Sequence, residues 1–325
     1  MPSDPRSLVA RELAPMLDVY PGLDFSRGIQ PVRDAIDRIP PAPLPPELQG
    51  IDASERFVPG TAGSPDVRVL HYAPADAGTA PRPAILHIHG GGYILGAPET
   101  YDIHNRATVA ALGVTLVSVA YRLAPETAWP GALEDCYAVL CWMHGNAAQL
   151  GIDPARMAIA GESAGGGHAA ALAIHARDKA RQDAGAPRIC FQLLDSPMLD
   201  DRSGSTADPH PYTGHFIWTR ELNRLGWRSL LGMEPGGPDV PPAAVPARVA
   251  DLSDLPPACL VIGALDLFLE ESLEYVRRLT RAGVPAELHV IPGAYHGYRM
   301  VRDAPQVAEG YALMRKALAR ALAAT

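Results

Sequence analysis

The stretch MAIAGESAGGGHAAALAI, residues 157–174, joins a short β-rich run to a small-residue segment of helical length. Gly161 and Gly165 flank Ser163 in the pattern Gly-x-Ser-x-Gly. In that pattern the serine sits on a sharp strand-to-helix turn, and the flanking glycines leave room for its strained backbone. The helix that follows points its free N–H groups at any anion formed beside the serine. This junction predicts a nucleophilic serine at the edge of a sheet.

Outward from this junction, short β-rich runs alternate with segments of helical spacing. The runs cover residues 67–72, 84–89, 115–121, 157–160, 189–194, 258–262 and 286–291. Most of them are continuously apolar, as expected for strands that helices cover on both faces. Apolar stripes at residues 269–279, before Gly283, and at residues 307–322 predict two of the helices. The alternation predicts an α/β fold with a mostly parallel, doubly wound central sheet flanked by helices.

Two segments interrupt this alternation. Residues 1–50 contain one amphipathic helix predicted around residues 9–17, followed by a proline-dense stretch. Residues 200–255 form a long interval, rich in proline and glycine, between two predicted strands. Because a long insertion in a compact domain is more often a functional lid than a neutral loop, we read both segments as a helical cap. We therefore expect an N-terminal cap segment at 1–50 and a catalytic domain at 51–325, with 200–255 as a cap insertion.

The overall composition excludes several classes of protein. The chain has 325 residues, 47% of them hydrophobic, and Asp plus Glu outnumber Lys plus Arg by 36 to 28. This acidic balance argues against binding to nucleic acid or to an anionic membrane, because both require clustered basic charge. The first twenty residues lack the apolar core of a secretory signal, and no apolar run reaches the ~18 residues of a membrane span. We expect a cytoplasmic protein, with export by another route as the alternative.

A second glycine run, His89-Gly-Gly-Gly, ends the predicted strand 84–89. Consecutive glycines weaken regular structure, so a strand that ends this way indicates close approach of the backbone to another group. The N–H groups of Gly91 and Gly92, with that of Ala164, would stabilise an oxyanion, and one such donor is typically worth about a hundred- to a thousandfold in rate. A flexible loop is the alternative for a glycine run alone. The pairing with Ser163 favours an oxyanion hole.

A serine nucleophile needs a base, and the base needs an orienting carboxylate. Of the eleven histidines, His296 lies in the loop Pro-Gly-Ala-Tyr-His-Gly after the predicted strand 286–291. That loop belongs to the C-terminal edge of the sheet, where doubly wound folds place their chemistry. The other candidates lie within predicted strands or helices: His87, His89, His168, His175 and His289. We therefore predict His296 as the base.

Asp266 is the predicted carboxylate, because it follows the predicted strand 258–262 at the same edge. Its alternative role is to cap the helix that begins near residue 269, and the two roles are compatible. Asp195 and Asp200 are the rival carboxylates, since both follow the preceding strand. The chain order of serine, aspartate and histidine matches the order that the α/β-hydrolase arrangement imposes.

Together these motifs resemble the bacterial branch of the hormone-sensitive-lipase family of α/β-hydrolase esterases. The likeness rests on three blocks, HGGGY at 89–93, YRLAPE at 121–126 and GESAGG at 161–166, and GALDLF at 263–268 and HGY at 296–298 agree in order. It extends from about residue 67 to the C-terminus. Two positions depart from the family pattern. Glu162 stands where many relatives have Asp or Thr, and Leu-Phe follows Asp266 where many have Pro-Leu.

The resemblance implies a triad of Ser163, Asp266 and His296, with Gly91 and Gly92 in the oxyanion hole beside Ala164. It also implies an N-terminal helical cap that shapes the acyl pocket. We predict a serine carboxylesterase that hydrolyses short- to medium-chain esters through an acyl-enzyme, with a small-molecule ester as its partner. The candidate pocket walls, each with core packing as the alternative, are Tyr93, Trp129, Tyr212, Phe216 and Trp218.

Two other functions stay open at this stage. A non-catalytic ligand-binding member of the fold would keep the pocket without turnover, although a damaged triad would then be expected. An amide hydrolase would use the same three residues. The serine-esterase mechanism implies no metal and no organic cofactor, and the four cysteines form no CxxC pair and no metal-binding spacing. We expect these cysteines to be free thiols, and a homodimer remains open.

Overall fold

A computed structural model of the protein describes residues 4–61, 63–75, 78, 80–204 and 208–323. Residues 1–3 of the expected cap segment and residues 205–207 of the expected insertion lie outside the described residues. Within the described ranges, eight strands form a single sheet. The strands are β1 (Ile51–Val58), β2 (Val67–Pro74), β3 (Arg82–Ile88), β4 (Thr115–Val119), β5 (Ile152–Glu162), β6 (Phe191–Asp195), β7 (Ala258–Gly263) and β8 (Ala286–Ile291).

The strand order across the sheet is β1-β2-β4-β3-β5-β6-β7-β8. Strand β2 is antiparallel to both of its neighbours, and every other neighbouring pair is parallel. The predicted α/β fold with a mostly parallel sheet is therefore confirmed. In such a sheet the carboxyl ends of neighbouring parallel strands meet at one edge, and the loops that leave this edge build the site.

Helices occupy the connections between these strands. They are α1 (Met16–Val19), α2 (Gln30–Asp37), α3 (Asp102–Leu112), α4 (Gly131–Gly145), α5 (Ala147–Leu150), α6 (Ala164–Gln182), α7 (Arg220–Leu231), α8 (Leu269–Arg281) and α9 (Pro305–Leu322). Short 3-10 turns lie at Pro5–Leu8, Pro46–Leu48, Pro98–Tyr101, Pro242–Ala244, Pro246–Arg248 and Tyr298–Met300. In the part of the chain that the structure describes, no helix combines the length and the apolar character needed to cross a bilayer.

Two hydrophobic cores cover the two faces of the sheet. Alternate residues of each central strand point to opposite faces, so Leu86 and Ile159 pack with α4, α6 and α8. Ile85 and Ala158 pack on the other face with α3 and α9. All residues of β4, β6 and β7 are buried, which explains why these strands read as continuous apolar runs.

Strand β1 was not predicted from the sequence. Its residues IDASERFV are buried at the two ends alone, and the six between them are exposed. An exposed edge strand needs no apolar run, and backbone pairing with β2 over the whole strand holds it in place. The polar side chains on this edge also fit the general use of charge to protect edge strands from unwanted pairing.

The single amphipathic helix predicted around residues 9–17 is wrong. The chain instead forms the 3-10 turn Pro5–Leu8, a run of turns, and the short helix α1, which starts directly after Pro15. Proline has no N–H to donate and is tolerated at the start of a helix, not in its interior. The apolar residues of this segment still reach the core, because Leu13 is fully buried on the face that α9 covers.

A third hydrophobic cluster lies over the loops at the carboxyl edge of the sheet. It joins Val32 of α2, Trp227 of α7 and Val245 to Ile94 and Phe268, which belong to the edge loops. Both segments that interrupt the α/β alternation therefore pack on the edge that carries the candidate residues. Their function as a cap, and the division at residue 50, stay predictions.

Candidate active site

Ser163 occupies the sharp turn between β5 and α6 in a strained conformation, with φ 55° and ψ −119°. Gly161 and Gly165 are required because a side chain would not fit at either position. A Cβ on Gly161 would lie 2.2 Å from the carbonyl oxygen of Gly165, and a Cβ on Gly165 would lie 2.0 Å from that of Ile88. The backbone N–H of Ser163 donates to the Asp195 carbonyl oxygen at 2.8 Å, which ties the turn to the end of β6.

A chain of hydrogen bonds links the three residues singled out from the sequence. Ser163 Oγ lies 2.9 Å from His296 Nε2, and His296 Nδ1 lies 2.8 Å from Asp266 Oδ2. The other oxygen of Asp266 accepts the Phe268 N–H at 3.0 Å. With the carboxylate ionised, Nδ1 carries the imidazole proton and Nε2 accepts from the serine hydroxyl. The arrangement has the geometry for removing the serine proton.

The surroundings keep this chain of hydrogen bonds away from bulk water. Asp266 is fully buried, and His296 is 8% exposed. The Phe268 ring meets the His296 ring edge-on, with 5.0 Å between centroids. Electrostatic and hydrogen-bonding interactions are stronger where water is excluded. Each group is therefore held in one orientation, with the serine oxygen facing the cavity.

The N-terminal segment braces the loop that carries His296. The N–H of Ala10 donates to the carbonyl oxygen of Gly293 at 3.0 Å. The Tyr295 hydroxyl donates to the Leu13 carbonyl oxygen, also at 3.0 Å. Gly293 has φ +67°, and a Cβ there would lie 2.6 Å from the Ala10 nitrogen. Residues near the start of the chain thus set the position of the candidate base.

The glycine loop after β3 folds back tightly beside Ser163. Gly91 and Gly92 have φ of 130° and 60°, conformations that residues with a Cβ rarely adopt. A Cβ on Gly92 would lie 2.1 Å from the Trp218 ring. The N–H groups of Gly91, Gly92 and Ala164 donate to none of the described residues. They are free to bind an oxygen atom of a ligand.

The rival histidines have structural partners. The His87 ring lies between the Ser118 hydroxyl at 2.8 Å and Glu162 at 2.9 Å. Burial lowers the pKa of His89 to about 4 and that of His168 to about 3, so both rings are neutral near pH 7. His175 packs edge-on against a tyrosine ring, and His289 lies half-buried on the edge strand β8.

The rival carboxylates are paired elsewhere. Arg299 donates to both oxygens of Asp195, at 2.5 and 2.8 Å. Arg202 does the same to Asp200, at 2.7 and 2.6 Å. Among the described carboxylates, Asp266 is the one that contacts His296.

A cavity of ≈ 490 Å³ opens beside Ser163 and His296. It lies between α3 and the segment that leads from His296 into α9. Its lining consists of Thr100, Tyr101, Ile103, His104, Ala107, Glu162, Ser163, Asp195, Ser196, His296, Gly297, Tyr298, Arg299, Met300, Arg302, Tyr311 and Arg315. The walls are therefore partly aromatic and partly charged.

The five aromatic residues expected to form pocket walls lie outside the lining of this cavity. Tyr93 is buried, and its hydroxyl donates to the Met198 carbonyl oxygen at 3.0 Å. Trp218 lies over Gly92, and its ring centroid is 6.3 Å from that of His296. For Tyr93 the alternative role of core packing applies, because its ring meets His168 and a tryptophan edge-on.

The other three expected wall residues are half-buried. Trp129 packs against the third hydrophobic cluster, and Tyr212 and Phe216 pack against the core beneath α9. Phe216 meets the Tyr295 ring at 5.8 Å, one residue before His296. Aromatic side chains are readily buried in any apolar environment. Their position near the motifs in the sequence therefore does not predict whether they line the cavity.

Several residues of the cavity belong to no recognisable sequence motif. Arg299 follows His296 by three positions and joins the site through Asp195. His104 and Tyr311 stack with their ring centroids 4.8 Å apart, although they come from α3 and α9. The proximity of Glu162 to Ser163 was visible in the motif, whereas its pairing with His87 required the register of β3 beside β5.

One group of residues among those described has the geometry of a metal site, and it lies outside the cavity. Cys259, Glu287 and His289 on β7 and β8 bring one ligand atom each within 4.8 Å of one another. Burial, with the neighbouring Glu287 carboxylate, raises the pKa of the Cys259 thiol, whereas a metal ligand must be the thiolate. Arg320 already pairs with Glu287 at 2.7 Å. The four cysteines are free, as expected.

Comparison with known proteins places the chain among esterases. A family described as the alpha/beta hydrolase fold matches residues 85–300. The chain is 35% identical over 314 residues to carboxylesterase NlhH of Mycobacterium tuberculosis, covering 94% of each sequence. It is 33% identical over 299 residues to esterase LipI of the same organism, covering 91% of this chain and 89% of that one.

A similar structure has also been solved. The bacterial heroin esterase superimposes with a TM-score of 0.91 and 37% sequence identity, covering 99% of this chain and 100% of that one. The similarity therefore includes the N-terminal segment and the insertion as well as the sheet. The resemblance to the hormone-sensitive-lipase family inferred from the motifs is confirmed.

Proposed function

The chain belongs to the α/β-hydrolase family, in the group related to hormone-sensitive lipase, and from that premise we propose that it is a serine carboxylesterase. The observation that carries the proposal is the unbroken hydrogen-bond chain from Ser163 through His296 to Asp266. In this proposal Ser163 is the nucleophile, His296 the general base and Asp266 the carboxylate that orients it. A complete site is a stronger argument than a shared fold, because one fold hosts many functions.

Acylation follows from the geometry of these three side chains. Ser163 Oγ attacks the ester carbonyl carbon while its proton passes to His296 Nε2. Asp266 keeps the Nδ1 proton in place and stabilises the imidazolium that forms. The imidazolium then gives its proton to the departing alkoxide, so the alcohol leaves and an acyl-serine remains. Water hydrolyses the acyl-enzyme by the same route, with His296 again accepting the proton.

The oxyanion of each tetrahedral intermediate is proposed to bind at the N–H groups of Gly91, Gly92 and Ala164. Their lack of partners among the described residues supports this role. Ala164 is also the first residue of α6, where the helix dipole favours negative charge. Preorganised donors of this kind stabilise charge without reorganising during the reaction.

The cavity supports a preference for short- to medium-chain esters. Its volume of ≈ 490 Å³ lies in the lower part of the range of about 300–1,000 Å³ for small-molecule sites. We also propose that α2 and the 200–255 insertion act as a cap. Arg33 of α2 supports this, since it donates to the Ile94 and Ala124 carbonyl oxygens beside the glycine loop, both at 2.8 Å.

The decisive experiment is hydrolysis of a p-nitrophenyl ester series from acetate to palmitate. We expect turnover on the short acyl chains and its loss in Ser163→Ala. Ser54→Ala, on the exposed strand β1, is the matched control and retains activity. Full activity in Ser163→Ala would remove this residue as the nucleophile.

The two alternative functions predict different results in the same assays. A non-catalytic binding protein would bind an ester without releasing acid, in both wild type and Ser163→Ala. An amide hydrolase would cleave a p-nitroanilide about as fast as the matched p-nitrophenyl ester. We expect the ester to be cleaved much faster, in keeping with the esterases that the chain resembles.

A further inference from the structure

The arginines of the cavity all come from one segment of the chain. Arg299 and Arg302 follow His296, and Arg315 lies on α9. The same cavity contains Ser163 and His296, so a molecule positioned for attack by the serine shares this space with the guanidinium groups. Side-chain charges in this cavity that have no ion-pair partner therefore influence which charged substituents a bound ester can have.

The two carboxylates of the cavity already have hydrogen-bond partners. Asp195 forms the bidentate pair with Arg299, whose guanidinium also lies over the rings of Tyr298 and Tyr311 at 4.8 and 4.7 Å. Glu162 pairs with the His87 ring at 2.9 Å. Asp195 is therefore not available to neutralise Arg302 or Arg315, and the contacts of Glu162 are with the rings of His87 and His104 rather than with either arginine. The charge of Arg299 is balanced by Asp195 in this pair, and its side chain is 15% exposed.

Arg302 and Arg315 form no ion pair with any described residue. Arg315 is half-buried, and Arg302 is exposed at the cavity mouth. The charges of both arginines act on aromatic rings of the cavity. Burial lowers the pKa of His104 to about 4 against the opposing effect of the Glu162 carboxylate, and the charge of Arg315 contributes to the lowering. Burial raises the pKa of Tyr311 to about 12, and the charge of Arg302 opposes that rise. His104 is thus neutral near pH 7 and adds no charge of its own.

We propose that Arg302 and Arg315, here called the arginine wall, form an anion subsite and that the preferred substrates are esters that carry a carboxylate. This inference rests on the proposed esterase function and adds the substrate class to it. Guanidinium groups bind carboxylates through paired, charge-assisted hydrogen bonds, and a half-buried guanidinium loses less to solvent screening than an exposed one. The ester bond lies at Ser163 while the carboxylate lies at the wall.

The test compares esters that differ in charge and are matched in shape. Monomethyl glutarate carries the carboxylate on the acyl side, and its isopropyl-ended isostere and trimethylammonium analogue are the neutral and cationic partners. Acetylated glycolate carries it on the alcohol side, with isobutyl acetate as the neutral partner. Acid release is measured by pH-stat, and the readout is the ratio of kcat/KM between the anionic and the neutral ester.

In at least one of these two series we expect the anionic ester to be favoured about tenfold and the cationic ester to be the poorest. In Arg302→Gln/Arg315→Gln the ratio falls to about one, with most of the loss from Arg315, the more buried of the two. Arg315→Lys keeps the charge and recovers part of the ratio. Lys316→Gln, exposed on the same helix and absent from the lining, is the control and keeps the wild-type ratio.

Ionic strength supplies a second readout. Raising the salt concentration from about 20 mM to about 500 mM shortens the screening length severalfold, so the anionic preference of the wild type falls while neutral esters change little. Neutral and anionic esters hydrolysed equally well at low salt in both series, or an unchanged ratio in the double variant, would overturn the anion subsite and leave the esterase function intact. Failure to hydrolyse any ester would overturn both.

Discussion

Two regions beside Ser163, the glycine loop (the packed side) and the cavity (the open side), differ in how tightly they are packed. On one side the glycine loop is packed so tightly that a Cβ on Gly92 would lie 2.1 Å from the Trp218 ring. On the other side a cavity of ≈ 490 Å³ separates the serine from α3 and α9. The packed side presents backbone N–H groups, and the open side presents side chains. The proposed oxyanion hole therefore depends on backbone geometry, whereas substrate choice depends on the side chains that line the cavity.

The largest effect is expected from breaking the hydrogen-bond chain that runs from Ser163 through His296 to Asp266. His296→Ala lowers kcat about 10⁵-fold or more, and the double variant with Ser163→Ala loses little beyond either single change. The reason is that the base and the nucleophile act as one unit, so removing either disables both. Steady-state kinetics on a short-chain ester measure this. Losses that multiply in the double variant would mean that the two residues act independently.

The next effect tests the packed side. Gly92→Ala lowers kcat by about a hundred- to a thousandfold, because the new methyl group collides with Trp218 and displaces an oxyanion donor. Gly113→Ala is the matched control. It has a similar φ of +65° with nothing within 4 Å of its Cβ, so it carries the backbone strain without the collision. Adding Trp218→Ala to Gly92→Ala restores part of the activity if the collision is the cause.

A smaller effect is expected on the free energy of unfolding at low pH. It concerns His168, whose ring contacts Tyr93 next to the glycine loop. Burial lowers the pKa of His168 to about 3, whereas an unfolded imidazole has a pKa near 6.5. Between these values the unfolded chain binds the proton and the folded chain does not, so stability falls as the pH drops through this window.

Urea unfolding at several pH values measures this dependence. His168→Leu removes up to about 1.4 kcal/mol per pH unit from the slope of unfolding free energy against pH between about pH 4 and pH 6. His215→Gln, on an exposed loop, is the control variant. An unchanged slope in His168→Leu would assign the acid sensitivity to other groups, of which His89, also lowered to about 4 by burial, is the first to examine.

The smallest effect tests which residues contact the acyl chain of the substrate. Ile103 lines the cavity, and Trp129 does not. Ile103→Ala shifts the preferred acyl chain upward, with a several-fold gain on the longer esters, because one methylene is worth about 1–3 kcal/mol in such a pocket. Trp129→Phe keeps the wild-type profile over the same ester series. A profile that responds to Trp129 and not to Ile103 would move the acyl site beneath the proposed cap.

Much of the fold was predictable because its signals are local. The buried strands β4, β6 and β7 read as apolar runs since both of their faces are covered. The failures were also local in origin. Strand β1 is polar because it is exposed, and the helix predicted around residues 9–17 is divided because Pro15 cannot continue one. Neither failure disturbed the topology, which backbone pairing between distant strands decides.

The candidate site divides in the same way. The amino-acid sequence was sufficient to identify the family and to indicate Ser163, Asp266 and His296, because a strained turn requires glycine and the chain order of the fold restricts the partners of the serine. Which side chains face the serine depends on the tertiary structure, since α3 and α9 are far apart in sequence and meet on the same face of the sheet. No sequence motif marks Arg302 or Arg315. Whether a side chain faces the cavity depends on tertiary packing rather than on its neighbours in the chain.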